Sequence, residues 1–193
     1  MTATHVFLTG EIQVGKSTAI GRALELLGRP PVGGFRTVSL PCPEIPRARF
    51  AVYVLPGTLP YRDPLREEEL PGFPFDRDHL VAIRWGDSLH TTFPAAFRSG
   101  GLPLLEQDPP GAKLLLMDEI GVFEAGAPEF CAAIARRLEG ELPVLGVVKK
   151  KPGGFLEQVR RHPRVRLLTV TRDNREDIPQ QIADVLRPQL DKD

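Results

Sequence analysis

The sequence predicts an α/β fold in which a mostly parallel sheet carries helices on both faces. Short apolar runs, typical of buried strands, alternate with helical patterns along the second half of the chain. A glycine-containing loop also joins the first strand pattern directly to the first helix pattern. Because no linker divides the 193 residues, we expect one domain over 1–193, with an irregular insertion at about 34–85.

The first strand and helix are predicted by apolar spacing and by the residues that end each pattern. The apolar run 5–9 stops at Gly10, which indicates a short buried strand. Apolar residues at helical spacing predict a helix over 16–27, and Gly28 and Pro30 close it.

The middle of the chain is rich in proline and carries weaker patterns. Residues 34–40 and 49–55 are β-branched or aromatic with partial alternation, so we expect them to pair as an antiparallel ribbon. Residues 56–79 combine proline, glycine and charge, which predicts a loop. A short strand is expected at 80–85, followed by a weakly helical stretch at 91–107.

The second half alternates regularly between strand and helix patterns. In chain order they are a strand at 113–117, a helix at 128–138, a strand at 143–148, a helix at 155–161, a strand at 165–171 and a helix at 178–186. Because parallel neighbours need a crossover connection, this alternation predicts a parallel sheet with covering helices.

Composition excludes several function classes. Lys+Arg and Asp+Glu both number 25, and this lack of a basic surplus disfavours a nucleic-acid partner. Cys42, Cys131 and the four histidines lack metal-ligand spacing, which fits a reducing compartment without a structural metal. The chain has no apolar run of membrane length and no secretory pattern at its start. We therefore expect a cytoplasmic protein without a membrane partner.

The sequence GEIQVGKS at residues 10–17 matches the phosphate-binding pattern G-x-x-x-x-G-K-[ST] at every position. The glycines let backbone N–H groups turn inward around a phosphate, and the following helix N-terminus adds its positive dipole end. Lys16 can reach the β- and γ-phosphates, and the Ser17 hydroxyl can bind Mg²⁺. We call residues 10–17 the phosphate loop.

A second candidate element is KLLLMDEIG at residues 113–121, an apolar run followed by two carboxylates. Ligands of such sheets lie beyond the carboxyl ends of the strands, so Asp118 is expected to meet the magnesium ion through water. Glu119 can accept a proton from an attacking water molecule. Alone, the pair also fits a solvated strand end. A glutamate there favours hydrolysis but does not exclude phosphoryl transfer to another acceptor.

Basic residues supply further candidates that the sequence does not rank. Residues 149–151 are three lysines after a predicted strand, and they suit either phosphate neutralisation or a solvated loop. Candidates for a transition-state arginine are Arg36, Arg84, Arg160 and Arg161.

Five segments occur together over almost the whole chain: FLTGEIQVGKST, VGGFRT, LLLMDEIGVFE, PVLGVVKKK and VTRDNREDIPQQIADVL. In this combination and order the chain resembles the small cytosolic nucleoside-triphosphatase family, the thermostable-NTPase and cancer-related NTPase type. The resemblance implies a P-loop NTPase fold of the RecA-like branch with an inserted antiparallel ribbon. It also implies slow hydrolysis of ATP, GTP and other NTPs to NDP and phosphate with Mg²⁺. The residues that would hold the nucleotide are Gly10, Glu11, Ile12, Gln13, Val14, Gly15, Lys16, Ser17 and Thr18.

The sequence departs from the family pattern at several positions. Glu11, Ile12 and Gln13 stand where the family usually carries a proline and a glycine, and Glu11 is expected to point outward. The arginine that usually follows GGF-x-T is absent. Val147 and Lys149 stand where a threonine and a histidine are usual. The replacements at Val147 and Lys149 bear on the expected rate of hydrolysis more than on nucleotide binding, whereas an inward-pointing Glu11 would weaken binding.

The leading functional hypothesis is a Mg²⁺-dependent NTPase with broad base tolerance. Lys16 and Glu119 would be its catalytic residues, and Ser17 and Asp118 its metal-binding residues. One alternative is a small-molecule or nucleotide kinase with an acceptor pocket in 56–110. The other is a nucleotide-gated binding module with little turnover. The sequence assigns neither a base preference nor a protein partner.

Overall fold

The computed structural model describes residues 3–43, 45–61, 78–86, 89–152 and 154–191. Eight strands lie in one sheet within these residues, in the spatial order β5-β4-β3-β2-β6-β7-β1-β8. The strands are β1 (His5–Thr9), β2 (Val32–Leu40), β3 (Phe50–Pro56), β4 (Leu80–Arg84), β5 (His90–Thr92), β6 (Leu114–Ile120), β7 (Val144–Val148) and β8 (Val165–Thr169).

The helices connect the parallel strands and cover the sheet. They are α1 (Lys16–Leu26), α2 (Pro94–Ala96), α3 (Leu102–Glu106), α4 (Pro128–Glu139), α5 (Gly154–Arg161) and α6 (Ile178–Leu190). A π-helical turn at Phe97–Gly101 joins α2 to α3, and a 3₁₀ turn at Phe123–Gly126 precedes α4. No helix within the described ranges is long and apolar enough to cross a membrane.

The sheet is parallel on one side and antiparallel on the other. β2, β6, β7, β1 and β8 pair in parallel, whereas β3, β4 and β5 extend the sheet from β2 in antiparallel fashion. The predicted mostly parallel sheet and the predicted ribbon of β2 with β3 are thereby confirmed. Because the parallel strands share a direction, the carboxyl ends of β1, β6 and β7 meet at one edge.

Beneath the helices the core consists of two apolar layers that the sheet separates, and a third, smaller cluster packs around β2 and β3. On β6, Leu115 and Met117 face the layer under α4, whereas Leu114 and Leu116 face the layer under α1 and α6. This alternation follows from the two-residue period of a strand, and burial on both faces explains why β6 is apolar throughout its first half. Burying each such side chain contributes roughly 2 kcal/mol. The prediction of helices on both faces is therefore confirmed.

The insertion is more ordered than the sequence suggested. Its strands β3 and β4 continue the central sheet. Strand β5 (His90–Thr92) follows and takes up the first residues of the stretch 91–107, for which the sequence predicted weak helix. Helical structure starts only at Pro94, whose fixed φ suits the first position of a helix. Residues 62–77 of the predicted loop lie outside the described residues.

Several predicted boundaries also shift. β6 runs on through Asp118 and Glu119 to Ile120, so both carboxylates belong to the strand and do not follow it. β8 is exposed along most of its length and buries Leu168, because it lies at the sheet edge. α6 continues to Leu190, four residues beyond its predicted end.

His5, to which the sequence assigned no function, has a structural role at the start of β1. Its Nε2 donates to the carbonyl oxygen of Leu138 at 2.8 Å, and its Nδ1 accepts from the backbone N–H of Val144 at 3.1 Å. Burial lowers the pKa of His5 to about 4. The neutral imidazole therefore ties the first strand to the end of α4 and to the start of β7.

Candidate active site

The phosphate loop turns between β1 and α1 with the backbone conformations that its glycines permit. Gly10 has φ 147°, and a Cβ there would lie 2.5 Å from the carbonyl oxygen of Val170. Gly15 precedes α1 in the left-handed region at φ 106°. Side chains are unfavourable at both positions, so the glycines of the motif are structurally required. Gln13 also has a positive φ, 59°, which is the conformation that a glycine adopts most readily.

Lys16 curls back over the phosphate loop. Its Nζ donates to the carbonyl oxygens of Gly10 at 3.1 Å and Glu11 at 2.7 Å. The first N–H groups of any helix lack an intrahelical partner, and at α1 they belong to the loop and its first turn. An ammonium group beside free helix N-terminal amides is an arrangement to which phosphates bind in proteins.

Two of the unusual residues in the middle of the loop, Glu11 and Ile12, have largely exposed side chains. The Glu11 side chain is 83% exposed, and its Oε1 lies 3.8 Å from Nζ of Lys150. Ile12 is 84% exposed. The outward orientation expected for Glu11 agrees with this exposure and with its distance to Lys150, at the rim of the cleft that Glu11 helps to line.

An irregularity in β6 separates the two predicted carboxylates. Met117 pairs with Gly146 and Ile120 with Val148, so three steps along β6 oppose two along β7. Such a bulge changes the direction in which side chains project. Asp118 contacts the Tyr61 hydroxyl, whereas Glu119 pairs with Lys149. The adjacent carboxylates therefore lie in different surroundings and can perform different tasks.

Tyr61 is the residue of this site that sequence reasoning missed. Its hydroxyl donates to Oδ2 of Asp118 and is also hydrogen-bonded to Ser17, so it bridges the two residues predicted to bind magnesium. It follows β3 at the end of a proline-containing turn, and no motif marks it. The position of Tyr61 in the site is evident only from the structure, in which this turn returns to the edge of the sheet.

Arg36 lies on the same side of the sheet. It is the register partner of Asp118 on β2, its guanidinium carbon is 4.3 Å from the centroid of the Tyr61 ring, and Nη1 donates to Pro60 at 2.9 Å. Burial raises the pKa of Asp118 to about 6, although the Tyr61 hydrogen bond and the Arg36 charge act in the opposite direction. Of the four candidate arginines, Arg36 is the one that contacts this cluster.

The donor set at this position fits a hard divalent cation. The Tyr61 hydroxyl contacts the side-chain oxygens of both Ser17 and Asp118, so these two oxygens lie near each other. In the described residues no cluster of three or more His, Cys, Asp or Glu side chains can hold a metal. Mg²⁺ in phosphate sites is held by one or two protein oxygens together with water and phosphate oxygens, which matches this sparse set.

Glu119 and Lys16 line one cleft of about 660 Å³ at the mouth of the phosphate loop, together with Gly10, Glu11 and Lys149. The Glu119 side chain is about one-third exposed, and its Oε1 lies 3.0 Å from Nζ of Lys149. The structure thus brings the predicted base and the predicted phosphate-binding lysine to the same opening.

Of the remaining basic candidates, some line the cleft and others lie outside it. Arg84 lines the cleft with Lys150 and Lys151. Arg160 donates to the carbonyl oxygens of Lys149 at 2.5 Å and Lys151 at 2.8 Å, so it fixes the backbone of the lysine segment. Arg161 pairs with Glu157 on the exposed side of α5. Neither Arg160 nor Arg161 lines the cleft described above.

Glu124 is a buried carboxyl group beneath the cleft. Its Oε2 accepts from the backbone N–H of Gly121 at 2.9 Å, while Oε1 is enclosed without a hydrogen-bond partner among the described atoms. Burial raises the pKa of Glu124 to about 7. The group is therefore largely protonated in the folded protein at slightly acid pH.

Glu124→Gln is expected to stabilise the protein progressively as the pH rises. Between about 4.5 and about 7 the unfolded carboxyl ionises before the folded one, so the parent loses on the order of 3 kcal/mol of stability that the amide retains. Denaturant unfolding at several pH values measures the difference, with the exposed Glu129→Gln as the matched control. A stability difference that is independent of pH would show that Glu124 keeps an ordinary pKa.

Comparisons with known proteins agree with this geometry. A family model described as NTPase matches residues 77–183. The cancer-related nucleoside-triphosphatase of Homo sapiens is 33% identical over 183 residues, covering 90% of this chain and 91% of that protein. Its homolog from Mus musculus is 30% identical over 189 residues, covering 95% and 96%. Nucleoside-triphosphatase THEP1 of Natranaerobius thermophilus is 26% identical over 207 residues, covering 98% and 100%.

Solved structures confirm the predicted fold. THEP1 from Aquifex aeolicus superposes with a TM-score of 0.65 at 20% identity, over 94% of this chain and 98% of that one. The solution structure of a human cancer-related nucleoside triphosphatase gives a TM-score of 0.63 at 29% identity, over 96% and 98%. Since the family model spans more than half of the chain and two relatives of at least 30% identity span nine-tenths of it, the chain belongs to this nucleoside-triphosphatase family.

Proposed function

We propose that the protein hydrolyses ATP, GTP and other nucleoside triphosphates to the diphosphate and phosphate. The observation that carries this proposal is that Lys16 and Glu119 line one cleft at the mouth of the phosphate loop. One residue there binds phosphate and the other can activate water. Phosphoryl transfer needs mainly positioning and charge neutralisation, and these groups supply both.

In this proposal the phosphate loop holds the triphosphate. Residues 10–18 surround the phosphates with backbone N–H groups. Lys16 leaves the carbonyl oxygens of Gly10 and Glu11 and moves to the β- and γ-phosphate oxygens. Because the ammonium already lies over the loop, this exchange replaces two neutral acceptors with charged ones and requires little movement.

We propose Mg²⁺ as the cofactor, with the Ser17 hydroxyl as a direct ligand and Asp118 as a partner through water. When bound, Mg²⁺ would neutralise charge on the β- and γ-phosphate oxygens. Asp118 must be ionised for this role, and its contact with Tyr61 must be exchanged for a metal-bound water. Tyr61 therefore competes for the oxygens that the cation needs.

Tyr61→Phe is expected to lower the Mg²⁺ concentration that gives half-maximal nucleotide binding by about tenfold or more, the effect of one hydrogen bond to an ionised group. Titration of a fluorescent nucleotide with Mg²⁺ measures this without relying on turnover. Tyr53→Phe, which removes a hydroxyl from β3, is the matched control. A higher Mg²⁺ requirement in Tyr61→Phe would mean that the hydroxyl orients Asp118 for the cation.

Glu119 is proposed as the group that orients and deprotonates the attacking water. A base must lie within hydrogen-bond reach of the proton that it removes, and Glu119 lines the cleft that Lys16 also lines. The proton passes to the carboxylate as the water oxygen attacks the γ-phosphorus, and the diphosphate leaves in line.

The reaction is tested by measuring phosphate release from ATP, GTP, CTP and UTP, with and without Mg²⁺. We expect equimolar diphosphate and phosphate from several of these substrates in water alone, and none without Mg²⁺. Diphosphate that forms only after addition of a phosphoryl acceptor would favour the kinase hypothesis. Tight nucleotide binding without product would favour the binding module.

The cellular setting is part of the same proposal. A cytoplasmic location agrees with the family that the sequence resembles and with its soluble substrates. Nucleoside triphosphates are the proposed binding partners, and the balanced charge of 25 basic and 25 acidic residues disfavours nucleic acid.

A further inference from the structure

Lys149 carries a cation into the active-site cleft at the end of β7. Its Nζ lies 3.0 Å from Oε1 of Glu119 and 5.6 Å from the centroid of the Phe123 ring. Its aliphatic stem crosses Gly121 so closely that a Cβ there would lie 3.2 Å from Cδ and 3.5 Å from Nζ. The ammonium is thus held by a carboxylate, an aromatic face and a backbone groove.

We propose that Lys149 is the positioning residue for Glu119, and that the ion pair fixes the carboxylate over the phosphate loop in the orientation that catalysis needs. This inference rests on the proposed role of Glu119 as the base. It assigns to Lys149 a function that acts through Glu119, distinct from the direct phosphate contact assigned to Lys16.

The backbone of the segment supports this role. The Lys149 N–H donates to the carbonyl oxygen of Ile120 at 3.0 Å, and its own carbonyl oxygen accepts from Arg160. Lys149 is therefore held from both sides, next to the bulge that carries Glu119. A glutamate side chain alone has three rotatable bonds, and restricting it before the reaction removes an entropic cost from the chemical step.

The neighbouring lysines lack this arrangement. The Lys150 side chain is 70% exposed and lies 3.8 Å from the exposed carboxylate of Glu11. Lys151 is exposed and contributes its carbonyl oxygen to Arg160. Three consecutive lysines thus differ in role, and Lys149 is the one whose ammonium contacts the proposed base.

The test is a double-mutant cycle in which kcat and KM are measured over a range of nucleotide concentrations at saturating Mg²⁺. Lys149→Met should lower kcat by about ten- to a hundredfold and leave KM within about threefold, because positioning affects the chemical step. In the Glu119→Gln background the same substitution should change kcat by less than about twofold, since a positioning residue has nothing left to orient. Lys149→Arg should recover part of the loss, and Lys113→Met, which removes a lysine charge at the opposite edge of the sheet, controls for net charge.

Gly121→Ala gives a second variant that keeps the lysine. The new methyl group occupies the groove, displaces the Lys149 stem, and should lower kcat by several-fold with an unchanged melting temperature. The proposal is overturned if Lys149→Met leaves kcat unchanged or raises it, or if its effect is undiminished in Glu119→Gln. In that cycle, full activity of Glu119→Gln itself would instead refute the assignment of the base.

Discussion

Glu119→Gln is expected to lower turnover by at least about a hundredfold, while the affinity for nucleotide stays within about threefold. The amide has nearly the shape of the carboxylate but cannot accept the proton of the attacking water. Nucleotide binding depends on the phosphate loop, whose contacts with Lys16 do not include the Glu119 side chain. Phosphate release and equilibrium nucleotide binding, measured on the same preparation, separate the two effects.

Glu129→Gln provides the control for this substitution. Glu129 lies on the exposed face of α4 and pairs with Arg98 at 2.7 Å, away from the cleft. Glu129→Gln makes the same change from carboxylate to amide and should leave turnover unchanged. If Glu119→Gln turns over as fast as the parent, another group activates the water, and the proposed division of labour between Asp118 and Glu119 is wrong.

Lys16→Ala is expected to weaken nucleoside triphosphate binding by at least about tenfold and to lower turnover by a hundredfold or more. The ammonium is the cation that the phosphate loop itself places over its carbonyl oxygens, and the helix dipole alone does not replace it. The loss should be larger for the triphosphate than for the diphosphate, because the lysine reaches the γ-phosphate. Calorimetric titration with both nucleotides measures this difference.

Lys113→Ala matches this change in charge and size. Lys113 is exposed immediately before β6, at the edge of the sheet opposite to the phosphate loop. The Lys113→Ala protein should bind both nucleotides as the parent does. If Lys16→Ala loses equal affinity for triphosphate and diphosphate, the lysine contacts the β-phosphate and does not stabilise the transition state at the γ-phosphate.

Much of the fold could be predicted because the decisive signals are local. The run from 113 onward is apolar since both faces of β6 are buried, and that pattern is visible without any contact information. The signal of the phosphate loop is equally local, because backbone angles within a single turn require its glycines. Strand β5 was missed since three exposed residues give no burial pattern.

The surroundings of the site could not be predicted because they depend on tertiary register. The bulge between Met117 and Ile120 sends Asp118 and Glu119 to different partners, whereas the sequence shows only two adjacent carboxylates. Tyr61 reaches Asp118 from 57 positions away in the chain. The pairing of Lys149 with Glu119 likewise depends on which strands are neighbours. Sequence patterns identify such residues by type, and the fold decides which of them meet.

A single-turnover reaction in H₂¹⁸O tests the central claim that water activated in this cleft attacks the γ-phosphate. The parent protein, mixed with Mg²⁺ and a substoichiometric amount of ATP, should release phosphate that carries one ¹⁸O atom and ADP that carries none. Lys16→Ala, prepared in the same way, should release almost none, which excludes a contaminating phosphatase. Label in the ADP, or equal phosphate release by parent and variant, would contradict the account.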